Sequence, residues 1–134
     1  YLSDLDIIAR LPNLEVLKLK VHDFSGNEMN PIIGVFTRLK HLLIQSMSLK
    51  YLNATNENFP VLEHLVLDFC FYLDKIPIEF ADIQSLQLID IKNCTPELEA
   101  SATRIQQEQE ELGNEPVDVR IISSRRRYTK LQTS

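Results

Sequence analysis

Three histidines, two cysteines and a scatter of carboxylates are the side chains whose chemistry needs testing first. His41 and His64 stand 23 residues apart, with Asp68 four residues on, and two imidazoles beside a carboxylate are the start of a metal site or a proton switch. Zinc, however, asks for three or four ligands at fixed geometry, and no fourth is spaced to join them. His22 falls on a turn position and reads as a satisfied core histidine. Cys70 and Cys94 are too few for a disulfide framework and read as buried structural thiols of a reducing compartment. Neither a Ser or Cys nucleophile with a His partner in a cleft nor a pair of carboxylates outside a helix emerges, so no catalysis is expected. Glu108, Glu110 and Glu111 read as the solvated face of a helix. Asn53-Ala54-Thr55 and Asn93-Cys94-Thr95 match the glycosylation pattern, but eight asparagines produce about one such match by chance.

The elements that position these side chains come from an internal repeat. Leu11-Pro12-Asn13-Leu14-Glu15-Val16-Leu17-Lys18-Leu19 aligns with Phe36-Thr37-Arg38-Leu39-Lys40-His41-Leu42-Leu43-Ile44, and the apolar positions coincide. The template recurs as Phe59, Leu62, Leu65, Leu67 and as Ile83, Leu86, Ile89, Ile91. Leu14, Leu39, Leu62 and Leu86 are 25, 23 and 24 residues apart, within the roughly 20 to 29 of leucine-rich repeats. The predicted class is α/β: a right-handed leucine-rich-repeat solenoid of about four repeats, with a parallel concave sheet. Three residues beyond the second strand leucine the chain must turn inward, at His22, Met47, Cys70 and Cys94. Leu73, Ile76, Pro77, Phe80 and Ile83 form a convex-side segment. From Val21 to Gly34 the turn signals Gly26, Asn30-Pro31 and Gly34 predict a loop. Leu5, Ile8 and Leu11 form a preceding half-repeat, and a start at Tyr1 on apolar positions suggests a piece of a longer protein.

After Cys94 the pattern changes. Thr95 is a candidate N-cap, Pro96 suits the first helical position, and Glu97 and Glu99 favour the positive end of the helix dipole. Leu98, Ala102, Ile105 and Leu112 fall on one face, and Gly113 supplies a left-handed end. The expected units are therefore repeats over 1–94, a C-terminal cap over 95–122 and a basic disordered tail over 123–134. Within the cap, a helix is expected over 96–112 and a strand over 117–121, in which Val117, Val119 and Ile121 alternate.

Composition narrows the function. The net charge is −5, yet Arg125, Arg126, Arg127 and Lys130 sit together at the end, so the rest is more acidic still. An acidic body argues against nucleic acid, whose affinity comes from clustered cations. The Arg cluster is shorter than the usual 5 to 8 residues of an import or lipid contact, and a solvated tail is the plainer reading. No apolar run approaches the roughly 20 residues of a membrane span, and no signal peptide opens the chain. What remains is a protein-contact surface. On the concave face, equivalent positions stack in columns: Val16, His41, His64, Leu88; then Lys18, Leu43, Val66, Asp90; then Lys20, Gln45, Asp68, Lys92. Leu43 and Val66 give the central column an exposed apolar patch of the kind that marks protein contacts.

Three stretches resemble one family, the leucine-rich-repeat ends of solanaceous coiled-coil NLR resistance proteins of the late-blight and helper types. They are Phe24-Ser25-Gly26-Asn27-Glu28-Met29 running on to Phe36 and Leu39, though Met29 stands where Trp is common; Phe59-Pro60-Val61-Leu62-Glu63-His64-Leu65-Val66-Leu67 through Cys70, Leu73, Ile76 and Pro77; and the terminal Asn93-Cys94-Thr95, Ser101-Ala102, Ile105, Glu108-Gln109, Gly113-Asn114-Glu115 and Val117 to Ile121. The resemblance implies an intracellular immune receptor whose solenoid holds a nucleotide-binding switch module inactive and senses a pathogen effector, directly or through a guarded host protein. It implies a cytoplasmic setting, with nuclear or membrane-peripheral placement as variants. ADP or ATP would belong to the parent receptor, because glycine at only Gly26, Gly34 and Gly113 leaves no G-x-x-x-x-G-K-[ST] loop and no cofactor in this chain. The competing reading is a substrate adaptor of F-box type; an extracellular ectodomain would want paired cysteine caps. Sequencing the transcript upstream of Tyr1 separates them: a phosphate-binding loop in the same reading frame is expected, and an F-box or a signal peptide would sink the receptor reading.

Overall fold

In a computed structural model of the chain, residues 13–20 and 27–122 are described. The half-repeat of Leu5, Ile8 and Leu11, the turn positions His22 and Gly26, and the tail over 123–134 lie outside them. Five strands form one parallel sheet: β1 (Val16–Lys20), β3 (His41–Gln45), β5 (His64–Asp68), β6 (Leu88–Lys92) and β7 (Asp118–Ile122), in the order β1-β3-β5-β6-β7. Between them run the short strands β2 (Glu28–Met29) and β4 (Tyr51–Leu52), a 3₁₀ turn over Ile78–Asp82 and the helix α1 (Pro96–Glu111). The result is an α/β architecture compatible with a solenoid, in which each strand is laid beside the one before it.

The sheet forms because each strand alternates. Leu17 and Leu19, Leu42 and Ile44, Leu65 and Leu67, and Ile89 and Ile91 point inward and are buried, while their neighbours point out. The register is one to one, Leu17 against Leu42, Leu42 against Leu65 and Leu65 against Ile89. A recurrent bond sets it. The carbonyl of Glu15 accepts the N–H groups of Lys40 and His41 at 2.8 and 3.0 Å, Lys40 accepts those of Glu63 and His64, and Glu63 those of Gln87 and Leu88. A tight turn from Phe36 to Leu39, Phe59 to Leu62 and Ile83 to Leu86 precedes three of the strands, and all six side chains are buried. Behind the sheet Phe36, Phe59 and Phe80 form a row with centroids 5.8 and 6.1 Å apart, the first pair tilted and the second edge-to-face, so each rung's aromatic rests on the next.

The inward turns follow the expected pattern in two rungs and depart from it in one. Phe69 and Asn93, just after β5 and β6, take left-handed conformations with φ of 54° and 55°, and their N–H groups still reach the carbonyls of Lys92 and Ile122. Cys70 and Cys94 then turn in, and their thiols donate to carbonyls of the preceding rung, Ile44 at 3.6 Å and Leu67 at 3.4 Å. After β3 the chain turns one residue earlier. Ser46 is buried and its hydroxyl accepts the Leu49 N–H at 3.1 Å, so Met47, expected inside, is 55% exposed. A hydroxyl that bonds its own backbone closes the turn without the left-handed residue.

The stretch expected as a loop before Gly34 contains β2, which pairs in parallel with β4. Neither strand is legible in the sequence, because two residues carry no measurable alternation. Leu73, Ile76, Phe80 and Ile83 are buried as the convex-side spacing requires.

The helix runs Pro96–Glu111, with the Thr95 hydroxyl accepting the Leu98 N–H at 3.2 Å. Gly113, at φ 79°, donates to Glu110 while Asn114 donates to Gln109, which closes the last turn in the Schellman manner. Leu98, Ala102 and Ile105 are buried as expected; Leu112 is not, since it caps the helix and lies half exposed. Gln109 takes that place inside because the buried Val117 N–H needs an acceptor, and its side-chain oxygen lies 2.7 Å away. Gln106 donates to the Val117 carbonyl at 2.8 Å, so two glutamines clamp the entry to the final strand. That strand begins one residue later than the alternation predicts, at Asp118, and the cap leaves Ile121 partly open.

One buried hydroxyl joins the helix to the repeats: Ser101 Oγ accepts the Ile76 N–H at 2.7 Å and donates to the Ile76 carbonyl at 3.3 Å. Ser101→Ala strips both partners from a buried backbone unit and is expected to cost about 1–3 kcal/mol in urea denaturation. Glu110→Ala, on the exposed side of the same helix, is expected to change stability by under about 0.5 kcal/mol.

Candidate interaction surface

The outward side chains of the sheet fall into three columns. Val16, His41, His64 and Leu88 are in register, as are Lys18, Leu43, Val66 and Asp90, and Lys20, Gln45, Asp68 and Lys92. β7 adds a fifth rung with Asp118, Arg120 and Ile122 in the same columns. Sequence reasoning missed these three, although the alternation of Val119 and Ile121 already implied that their neighbours face outward.

At the β1 end the surface is open and cationic, with Val16, Lys18 and Lys20 all exposed. Towards the middle it becomes half-buried and apolar at Leu43 and Val66, and an open cavity of about 340 Å³ lies over it, bordered by Val16, Lys18, His41, His64 and Lys92. An apolar floor with a polar rim is the arrangement protein contacts use.

The two histidines do meet, with ring centroids 5.8 Å apart in an edge-to-face contact. The carboxylate that joins them is Asp90 rather than Asp68: His64 Nε2 lies 3.0 Å from Asp90 Oδ2. The pairing runs diagonally, from the first column of one rung to the second column of the next, which spacing along the chain does not reveal. Asp68 instead holds a buried Oδ1 with no hydrogen-bond partner among the described residues. No three His, Cys, Asp or Glu side chains among the described residues are grouped to hold a metal ion.

At the end of the sheet Cys70 and Cys94 are both free thiols, Cys70 buried and Cys94 partly open. Hydrogen bonding to the Cys94 sulfur, with burial, pushes the Cys70 thiol up, whereas the bond it receives from Cys70 draws Cys94 down against the effect of its own burial. Lower pKa means more thiolate at neutral pH. Iodoacetamide followed by peptide mass analysis is therefore expected to label Cys94 first, with Cys70 labelled only once the chain unfolds. Equal labelling of both in the folded protein would contradict the arrangement.

Among the described residues no helix is long and apolar enough to cross a membrane. No protein-family model matches the chain. Individual curated proteins do match it. The chain is 41% identical over 112 residues to late blight resistance protein homolog R1B-23 of Solanum demissum, a stretch that is 83% of this chain and 9% of that protein. It is 40% identical over 112 residues to homolog R1B-16 and 40% identical over 112 residues to homolog R1B-12, both from the same species. Those stretches are again 83% of this chain, and they make up 9% and 8% of the two relatives. The chain thus spans about a tenth of the length of the relatives it matches, and over that shared stretch it is similar to the late blight resistance protein homologs.

Proposed function

We propose that this chain is a non-catalytic protein-contact module of a plant disease-resistance receptor, and that the outer face of its sheet is the contact surface. The observation that carries the reading is the half-buried pair Leu43 and Val66, side by side in register beneath an open cavity and ringed by His41, His64, Lys18 and Lys92. Solvent alone gives such a patch no stabilisation, whereas covering it removes apolar area from water at roughly 25 cal/mol per Å².

In this reading the partner is the nucleotide-binding module of the same receptor, held inactive in the resting state, with a pathogen effector or guarded host protein competing for the face. ADP or ATP binds that other module, and the setting is cytoplasmic. The relatives' names speak of disease resistance and lend nothing to the F-box adaptor alternative. Leu43→Glu and Val66→Glu place carboxylates on the apolar floor. Each is expected to weaken co-purification with the receptor's nucleotide-binding module by about ten-fold or more and to raise resting activity of the intact receptor. Unchanged domain binding together with unchanged resting activity would exclude this face.

A further inference from the structure

A second opening lies away from the sheet, between β4, the segment leading into the 3₁₀ turn, and α1, and its volume is about 500 Å³. Its origin is a pairing that stops. β2 and β4 lie side by side in parallel on successive rungs, and Asn53 donates to the Met29 carbonyl at 2.9 Å as the second sheet requires. The next rung would continue that sheet through Ile76. Ser101 instead takes both the N–H and the carbonyl of Ile76 towards α1, and Pro77 has no N–H to offer. The second sheet therefore ends after two strands, with the far edge of β4 unpaired among the described residues and lining the opening.

The walls have a definite chemistry. Lys50, Lys75 and Arg104 border the opening against one carboxylate, Glu79. Neither Lys75 nor Arg104 makes an ion pair with another described residue, and Lys50 sits over the Tyr51 ring at 5.4 Å. In a chain of net charge −5 this is a local excess of cations. Tyr51 and Ile78 add exposed apolar surface to the same walls.

We propose that this groove takes an extended, acidic segment of a partner protein as a third strand on the edge of β4. A strand added to a free edge gains main-chain hydrogen bonds, while its alternate side chains face different surroundings. Here one set of side chains meets Lys75 and Arg104, which select carboxylates, and the other meets Tyr51 and Ile78, which select apolar groups. A compact anion would use the cations and leave the strand edge and the apolar wall idle. The groove shares no lining residue with the outer face of the sheet, so the two surfaces can be occupied independently.

The probe is a fluorescein-labelled octapeptide alternating glutamate and valine, titrated with the full 134-residue chain and read by anisotropy. The glutamate peptide is expected to bind, more weakly as salt rises, and the same peptide with lysine for glutamate is not. Methylating the amides of one alternate set is expected to abolish binding while methylating the other set is tolerated, because an edge strand turns only every second amide towards its neighbour. The double substitution Lys75→Glu with Arg104→Glu, at exposed positions, is expected to weaken the glutamate peptide about ten-fold or more and to confer binding of the lysine peptide. Equal binding of both peptides by the unaltered chain, indifference to methylation of either set, or a double variant that keeps its preference for glutamate would each overturn the proposal. Indifference to methylation with intact charge selectivity would identify an anion site instead.

Discussion

The one-to-one parallel register of the sheet is the constraint on which the rest of the structure depends. It is held by the carbonyl of the residue before β1, β3 and β5, which accepts two N–H groups from the next rung, and it carries each inward leucine onto its counterpart. Because the side-chain period of a strand is two, a slip of one residue would send every buried leucine to solvent and every lysine and histidine into the core. The same register stacks the outward residues in columns. A surface built this way changes character along the sheet by single substitutions, from Lys18 through Leu43 and Val66 to Asp90, without any change in backbone.

Register alone does not close the turns that bring each rung inward. Two rungs use a thiol behind a left-handed residue, and one uses the Ser46 hydroxyl one position earlier. A cysteine at this point is a small apolar group with a weak donor that reaches the carbonyl of the previous rung, so it links rungs as well as filling space. Polar side chains do similar work elsewhere. Ser85 donates to the Leu62 carbonyl at 2.8 Å, and Asn58 bonds locally to Thr55 and across to Pro31. These contacts tie neighbouring rungs together at points where the backbones do not pair.

The helix resolves a conflict at the end of the sheet. Buried backbone groups there need partners, and α1 supplies Ser101 to Ile76 and Gln106 and Gln109 to Val117. The Ser101 hydroxyl that satisfies Ile76 also interrupts the second sheet. The groove beside β4 is thus a consequence of how α1 packs on the repeats, and its cations come from two different rungs and the helix.

The period, the class of fold, the inward rows of leucine and isoleucine and the three outward columns are all legible in the residues, because they follow from local alternation repeated at fixed spacing. The helix is legible to within a residue as well, since Thr95, Pro96 and Gly113 act within one turn of themselves. Illegible is whatever depends on residues from different rungs meeting. The pairing of His64 with Asp90 rather than Asp68 and the burial of Gln109 in place of Leu112 turn on partners 26 and 8 positions away, whereas the exposure of Met47 is a local exception set by the bond from the Leu49 N–H to the Ser46 hydroxyl. The strands β2 and β4 are invisible for the same reason: two residues have no pattern of their own and become a sheet only when the rungs stack. Which backbone edge is left open is likewise a matter of packing, because the hydroxyl that captures Ile76 lies 25 residues further along the chain.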